Sequence, residues 1–355
     1  LLSCFFIRLR EGVPKMNDTI TIRELFVEVE EDAEMLHAFL ARHALGYETD
    51  IDAAFGIFDE YDTLCGCGCA AKSLLKCFAV DESLRGQNAL GALISRLVQD
   101  RFFKGYYDLR VITRAHNEPL FSACGFYPIA RTDTLVLLEN SPNGPRRFAL
   151  PLLEKGDEQR TVGAIVMNAN PFTLGHRALV EYAAARCDVL HLFVVEENRS
   201  LFPTDVRFRL VQEGTSDLAN VRVHSSGPYM ISLATFPTYF LKSEENAAAL
   251  QSALDITLFA ESIAPVLHIT RRFAGQEPFD PITACYNSAM RGILPRYGIE
   301  FVEIPRLASC GAPVSASRVR TLLKEKGVCD EVLQLVPEPT QRYLKEMYKA
   351  VEHEH

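Results

Sequence analysis

The chain has 355 residues, 48% hydrophobic and 23% charged, with a formal net charge of −9. That length exceeds what one small core serves and points to two domains; the acidic balance argues against a protein that mainly grips nucleic-acid phosphates, which needs a surplus of Lys and Arg. No stretch approaches the ~18 apolar residues of a bilayer span, and the ten cysteines are scattered in apolar contexts as reduced thiols are, so the expected setting is cytoplasmic, with no membrane or nucleic-acid partner.

Residues 1–20 read as an N-terminal extension. They hold one short apolar patch without the basic start or small-residue cleavage site of a secretory leader, and Met16 is a candidate natural start. Residues 21–140 read as a mixed α/β domain. "EDAEMLHAFLARHAL" spaces Met35, Leu36, Phe39 and Leu40 along one face of a helix. Strands follow at "AAFGIFD" and "TLCGCGCAA", with a turn at "DEYD" between them. In the second strand a period of two puts Cys65, Cys67 and Cys69 on one face and glycines on the other. Structural zinc sites space paired cysteines more widely, so the run reads as strand. "LLKCFAV" is a strand, "NALGALISRLVQDRFFKG" a long amphipathic helix, "YDLRVIT" a strand, and "NEPLFSACGF" a short helix ending at Gly125. Residues 141–160, "SPNGPRRFALPLLEKGDEQR", mix Pro, Gly and charge without periodicity and read as a linker.

Residues 161–355 alternate more regularly. "TVGAIVMNA", "VLHLFVVEE", "VRVHSS", "HITRRFA" and "EFVEIPRL" are strands. Between and after them lie helices at "GHRALVEYAAARC", "PTDVRFRLVQEGTSDL", "ALQSALDITLFAESIAPVL" and "SASRVRTLLKEKG", with "EHEH" a solvated tail. The alternation predicts a doubly wound parallel sheet, in which ligands bind beyond the carboxyl ends of the strands. "NPFTLGH" falls at such an end. A strand-to-helix turn leaves backbone N–H groups without partners, and the helix dipole favours an anion there. Gly175 lets the backbone approach a phosphate closely. Thr173 adds a hydroxyl, and His176 a donor aimed at charge developing on phosphorus. "VSASRVR", Val314 to Arg320, offers a second helix start, with the Ser315 and Ser317 hydroxyls and the Arg320 cation one turn inside.

"NPFTLGH" resembles the H/T-x-G-H motif of the nucleotidyltransferase α/β phosphodiesterase superfamily, and "VSASRVR" resembles its I-S-S-T-x-I-R signature. The resemblance implies attack on the α-phosphate of ATP with loss of pyrophosphate. It implies catalytic roles for His176, Thr173 and Arg320, and ATP contacts for Asn168, Asn170, Phe172, Gly175, Arg207, Ser315 and Ser317. Mg2+ is expected to arrive with ATP, so the chain needs no metal cage of its own. The chain departs from the pattern in having Thr173 at the first histidine and Ala169-Asn170 where many members have Phe-Asp.

"VDESLRGQNALGALI" resembles motif A of the GNAT acyltransferase fold, R-x-x-G-x-G/A, which cradles the pyrophosphate of acetyl-CoA. Arg85 matches, whereas the glycine positions hold Asn88 and Leu90; Asn tolerates left-handed backbone angles. "NEPLFSACGFYPI" resembles a second part of that fold, with Asn117 and Phe126 in familiar places. This implies a GNAT-like domain, with Arg85, Gly86, Asn88 and Asn117 as contacts to a CoA-like arm, followed by a Rossmann-like nucleotidyltransferase domain. The pairing, together with "ATFPTYFLK", "GQEPFDPITACYN" and "EFVEIPRL", resembles the citrate lyase ligase family. It implies formation of acetyl-adenylate from acetate and ATP. The acetyl group then passes to the thiol of the phosphoribosyl-dephospho-CoA prosthetic group on the acyl carrier subunit of citrate lyase. Gly275 and Glu277 are expected near the adenine or acetate pocket. The same fold serves enzymes that deliver acetate to tRNA, against which the acidic charge and the extra domain weigh. It also serves enzymes that join a nucleotide to a phosphorylated metabolite, a reaction with no need of the first domain. A non-catalytic acyl-CoA or nucleotide sensor is a third reading; its mark would be a broken phosphate site, and here His176, Ser315 and Arg320 all stand.

Overall fold

The computed structural model describes residues 20–196, 200–230, 236–242, 246–277, 280–305, 308–309 and 312–352. All but the last residue of the expected N-terminal extension, and the end of the "EHEH" tail, lie outside them. The chain divides into two compact units, Leu1–Gly144 with Pro237–Ala247, and Pro145–Phe236 with Ala248–His355.

The first unit is a seven-stranded sheet in the order β1-β2-β3-β4-β5-β7-β6. Its strands are β1 (Thr21–Leu25), β2 (Ala53–Phe58), β3 (Leu64–Ala71), β4 (Leu74–Val80), β5 (Arg110–Arg114), β6 (Tyr127–Arg131) and β7 (Leu135–Glu139). Helix α1 (Glu30–Arg42) buries Leu36, Phe39 and Leu40, as their spacing requires, and α2 (Ala89–Phe103) buries Leu93, Ile94, Leu97 and Val98. A short α3 (Glu118–Ser122) precedes β6. One expectation is corrected. The β2–β3 register moves from Ile57↔Gly66 to Phe58↔Leu64, which leaves Cys65 as a bulge. Cys65 therefore packs against the cluster containing Phe55 and Ile57, while Cys67 and Cys69 join Leu64 and Cys77 in another. β4 and β5 are the parallel pair, and they pair only at Leu74↔Arg110 and Leu75↔Val111. Beyond those rungs the strands part, and a cleft opens between their C-terminal ends.

The stretch expected to be an aperiodic linker forms α4 (Gly144–Ala149) and two short 3-10 turns. Asp157 in it is fully buried and accepts a hydrogen bond from Arg222 at 2.6 Å. Single turns are too short to show a period, which is why the sequence looks structureless there.

The second unit is the expected doubly wound sheet, all parallel, in the order β10-β9-β8-β11-β12. Its strands are β8 (Val162–Met167), β9 (Val189–Val194), β10 (Val221–Ser225), β11 (Ile269–Gly275) and β12 (Glu300–Ile304). Helices α5 (Leu174–Ala184), α6 (Thr204–Glu213), α7 (Ala247–Leu258), α8 (Pro281–Ile293) and α9 (Ala316–Lys326) follow the strands, with α10 (Asp330–Leu333) and α11 (Glu338–Glu352) at the end. Ile165, Leu192 and Phe273 pack against Val180 and Ala183 of α5 in the core; burying each large side chain contributes about 1.5–3 kcal/mol. Strand order reverses between β8 and β11, so the crevice beyond their carboxyl ends is the natural ligand site. Among the described residues no helix is long and apolar enough to cross a membrane.

Candidate active site

A cavity of about 680 Å³ opens at that reversal point. Asn168, Asn170, Thr173, Gly175 and His176 line it from the β8–α5 turn, and Ser315, Ser317 and Arg320 from the start of α9.

Thr173 caps α5. Its Oγ1 accepts from the His176 N–H at 3.3 Å, and its own N–H donates to His176 Nδ1 at 3.1 Å. A ring nitrogen that accepts from an amide carries no proton, so the imidazole proton stands on Nε2. The ring stacks on Phe172, with centroids 5.9 Å apart and planes at 10°. Phe172 itself is fully buried and holds the turn from beneath, with its carbonyl accepting from Thr340 Oγ1 at 3.0 Å.

Gly175 is needed for a reason the motif alone does not state. A Cβ at this position would lie 2.5 Å from the Val314 carbonyl oxygen. Only glycine lets the residue before α9 come this close, and this crossing brings the two helix starts together. Ser315 caps α9, accepting from the Arg318 N–H at 3.1 Å. Arg320 donates to the Asn170 carbonyl at 2.7 Å and to Ser317 Oγ at 3.2 Å, which ties the second motif to the first. Partial burial lowers the Arg320 pKa from its ordinary value, yet a guanidinium stays charged in proteins.

Arg207 is placed differently from the expectation that it faces the phosphates. It is fully buried and does not line the cavity. Its guanidinium donates to Asn168 Oδ1 and O at 2.7 Å and to the Val195 carbonyl at 2.8 Å. It fixes Asn168 from behind, and Asn170 Oδ1 is fixed by the Phe202 N–H at 3.1 Å. Gly275 and Glu277 line the other side of the cavity, where Glu277 accepts from the N–H of Asp280, the cap of α8. Arg272, Tyr286 and Met290 also line it, and the sequence reading did not single them out. The signal for Arg272 was present: an arginine inside the buried run "HITRRFA" is a charge where a strand core should be apolar.

In the first unit, Arg85, Gly86, Asn88 and Asn117 all line one cavity of about 830 Å³, set where β4 and β5 part. Asn88 adopts φ +55° at the start of α2 and Gly86 φ +80°, so the loop takes its left-handed shape without the motif's glycine at 88. Leu90 lines the same cavity. Tyr239 and Phe240 close one side. The Tyr239 carbonyl accepts from the Gly46 N–H at 2.7 Å, and the Phe240 carbonyl accepts from Arg114 at 2.9 Å.

Two helix starts on one crevice, with an imidazole and a guanidinium lining it, stand at the strand ends of a nucleotidyltransferase-like α/β fold. A family model described as the citrate lyase ligase C-terminal domain matches residues 162–344, just over half of the chain. Citrate (pro-3S)-lyase ligase of Klebsiella pneumoniae is 43% identical over 323 residues, covering 89% of this chain and 94% of that one. The Escherichia coli protein of the same name is 38% identical over 315 residues, covering 87% and 89%. An acyl-CoA N-acyltransferase from Pseudomonas aeruginosa is similar in structure, with a TM-score of 0.29 and 11% identity over 34% of this chain and 98% of that one. The chain belongs to the citrate lyase ligase family, and it is an enzyme, a ligase.

Proposed function

We propose that this enzyme activates citrate lyase by acetylating it with ATP and acetate. An acetate oxygen attacks the α-phosphorus of ATP, the bond to the bridging oxygen breaks, and pyrophosphate leaves. The thiol of the carrier's prosthetic group, as thiolate, then attacks the acetyl carbon; AMP departs, a thioester forms, and the thiol proton passes to solvent. The observation that carries this reading is the crossing of Gly175 and Val314, which sets two helix N-termini on one cavity.

His176 offers its Nε2 proton to the oxygens of the α-phosphate as negative charge grows there. The start of α9, with Ser315, Ser317 and Arg320, holds the departing pyrophosphate, and Thr173 and Asn168 bond the phosphate chain. Such preorganised donors commonly supply about 3–4 kcal/mol each at the transition state. Mg2+ enters with ATP. Among the described residues no trio of His, Cys, Asp or Glu is arranged to hold a metal, and phosphate-bound Mg2+ needs none.

The cavity of the first unit takes the pantetheine-like arm of the carrier, with Arg85 at its phosphates; Arg85 is well exposed and pairs with Glu82 at 2.9 Å. Incubating the deacetylated carrier subunit with enzyme, ATP and acetate, and weighing it by mass spectrometry, tests the whole reading. One added acetyl group on the prosthetic thiol is expected, and an unchanged carrier alongside AMP formation would count against it. Arg85→Ala is expected to slow carrier acetylation about tenfold and leave adenylate formation intact.

A further inference from the structure

Arg272 lies on β11, three residues before its end, and is 3% exposed. Its neighbour Arg271 turns to Glu300 at 2.9 Å, so alternation along the strand sends Arg272 to the other face, where α7 and α8 pack. Its guanidinium lies 4.4 Å from the centroid of the Phe259 ring. Among the described residues its buried Nη1 makes no hydrogen bond and Arg272 forms no ion pair. Asp255, whose charge acts on Arg272, is itself 3% exposed and accepts from the Tyr286 hydroxyl. Burial accordingly pulls the Arg272 pKa down. A buried cation with an unfilled donor is costly, and an orphaned buried polar atom calls for a partner that completes it.

The nature of that partner follows from position. The phosphate-binding groups sit on the β8–α5 turn and the start of α9. Arg272 belongs to the adjacent strand and lines the same cavity from its floor, almost out of solvent. Phe259 flanks it, and Met290, one turn beyond Tyr286 on α8, is 3% exposed and lines the same space. An unpartnered Nη1 with Phe259 and Met290 near it suits a small anion with a short apolar tail. It does not suit a polyphosphate that carries a metal and its water. We propose that Arg272 binds the carboxylate of the acid substrate, holding one oxygen while the other attacks phosphorus, with Met290 limiting the length of the acid's tail. This assignment rests on the adenylating reading of the site given above.

The test is ATP–pyrophosphate exchange with Arg272→Met and Arg272→Lys, varying acetate and ATP separately, together with melting temperatures. For Arg272→Met the KM for acetate is expected to rise at least about tenfold while the KM for ATP stays within about twofold, with Arg272→Lys in between. The melting temperature of ligand-free Arg272→Met should be unchanged or higher, because an uncompensated buried cation has gone. Met290→Ala should improve use of butyrate relative to acetate about fivefold or more. An unchanged acetate KM, or an ATP KM that rises in step, overturns the assignment. A sharp fall in melting temperature with the acetate KM intact also overturns it, since that marks a structural arginine. If Arg272→Met does not fold, Arg272→Lys decides by the same split. Absence of acetate-dependent exchange in the unmodified enzyme is a different failure, because it overturns the adenylating reading itself.

Discussion

His176 is oriented by its neighbour three residues back, and Thr173 does two things at once: it caps α5 and it fixes which ring nitrogen carries the proton. Thr173→Val keeps the shape and removes the hydroxyl. It should destabilise the enzyme by about 1 kcal/mol in urea unfolding, the usual cost of a lost cap. It should also lower kcat about tenfold while Thr173→Ser restores both, which a purely structural cap would not do. That Thr173, Gly175, His176, Ser315, Ser317 and Arg320 gather on one cavity was legible from the two motifs. Arg207 was legible only in part. An arginine on a helix gives no sign of whether it faces solvent, ligand or, as here, the backbone carbonyls of Asn168 and Val195.

The starts of α5 and α9 line one cavity although about 140 residues separate them, and the contact of Gly175 with the Val314 carbonyl sets their spacing. Gly175→Ala forces that contact to widen, since neither backbone segment can swing away as a side chain could. A loss of about 1–3 kcal/mol in denaturant unfolding is expected, with a raised KM for ATP because the two helix starts no longer converge. Long apolar strands such as β8 and β9 and the amphipathic α5 were evident from periodicity. The bulge at Cys65 was not, because a register shift is a property of two paired strands and leaves no mark on the periodicity of one. Helix α8 was not among the expected elements although Ile282, Cys285, Tyr286, Ala289, Met290 and Ile293 recur at helical spacing. Its Asp280 cap and Pro281 were also an available start signal.

Connectivity across the whole molecule was the least legible feature. Pro237–Ala247 lies deep in the second half of the sequence but groups with the first unit. Thr238 donates from its N–H to Glu48 Oε1 at 2.7 Å, and Tyr239 is buried among Phe39, Leu40 and Cys77. Tyr239→Ala should therefore destabilise the first unit by about 3–5 kcal/mol, read as a lower unfolding midpoint. In the second unit His191 Nδ1 and His224 Nε2 lie 2.9 Å apart beside Phe193, with His191 fully buried and His224 half-buried. Burial, with the nearby Arg222 charge, pulls their pKa values down to about 3 and about 4. The unfolded chain binds protons that the folded one refuses, so this contribution is complete above about pH 6.5 and is lost as pH falls toward those folded values. At pH 5 the loss is about 2 kcal/mol per histidine, and urea midpoints at pH 7.5 and 5 will show it. His224→Gln should flatten the difference.

The central claim is that His176 and the paired helix starts transfer the adenylyl group of ATP to acetate. ATP–pyrophosphate exchange with purified enzyme and Mg2+, with and without acetate, measures that step without needing the carrier. Exchange should require acetate and fall about 100- to 1000-fold in His176→Ala, with ATP binding retained. Exchange that ignores acetate, or survives the loss of His176, would contradict the account.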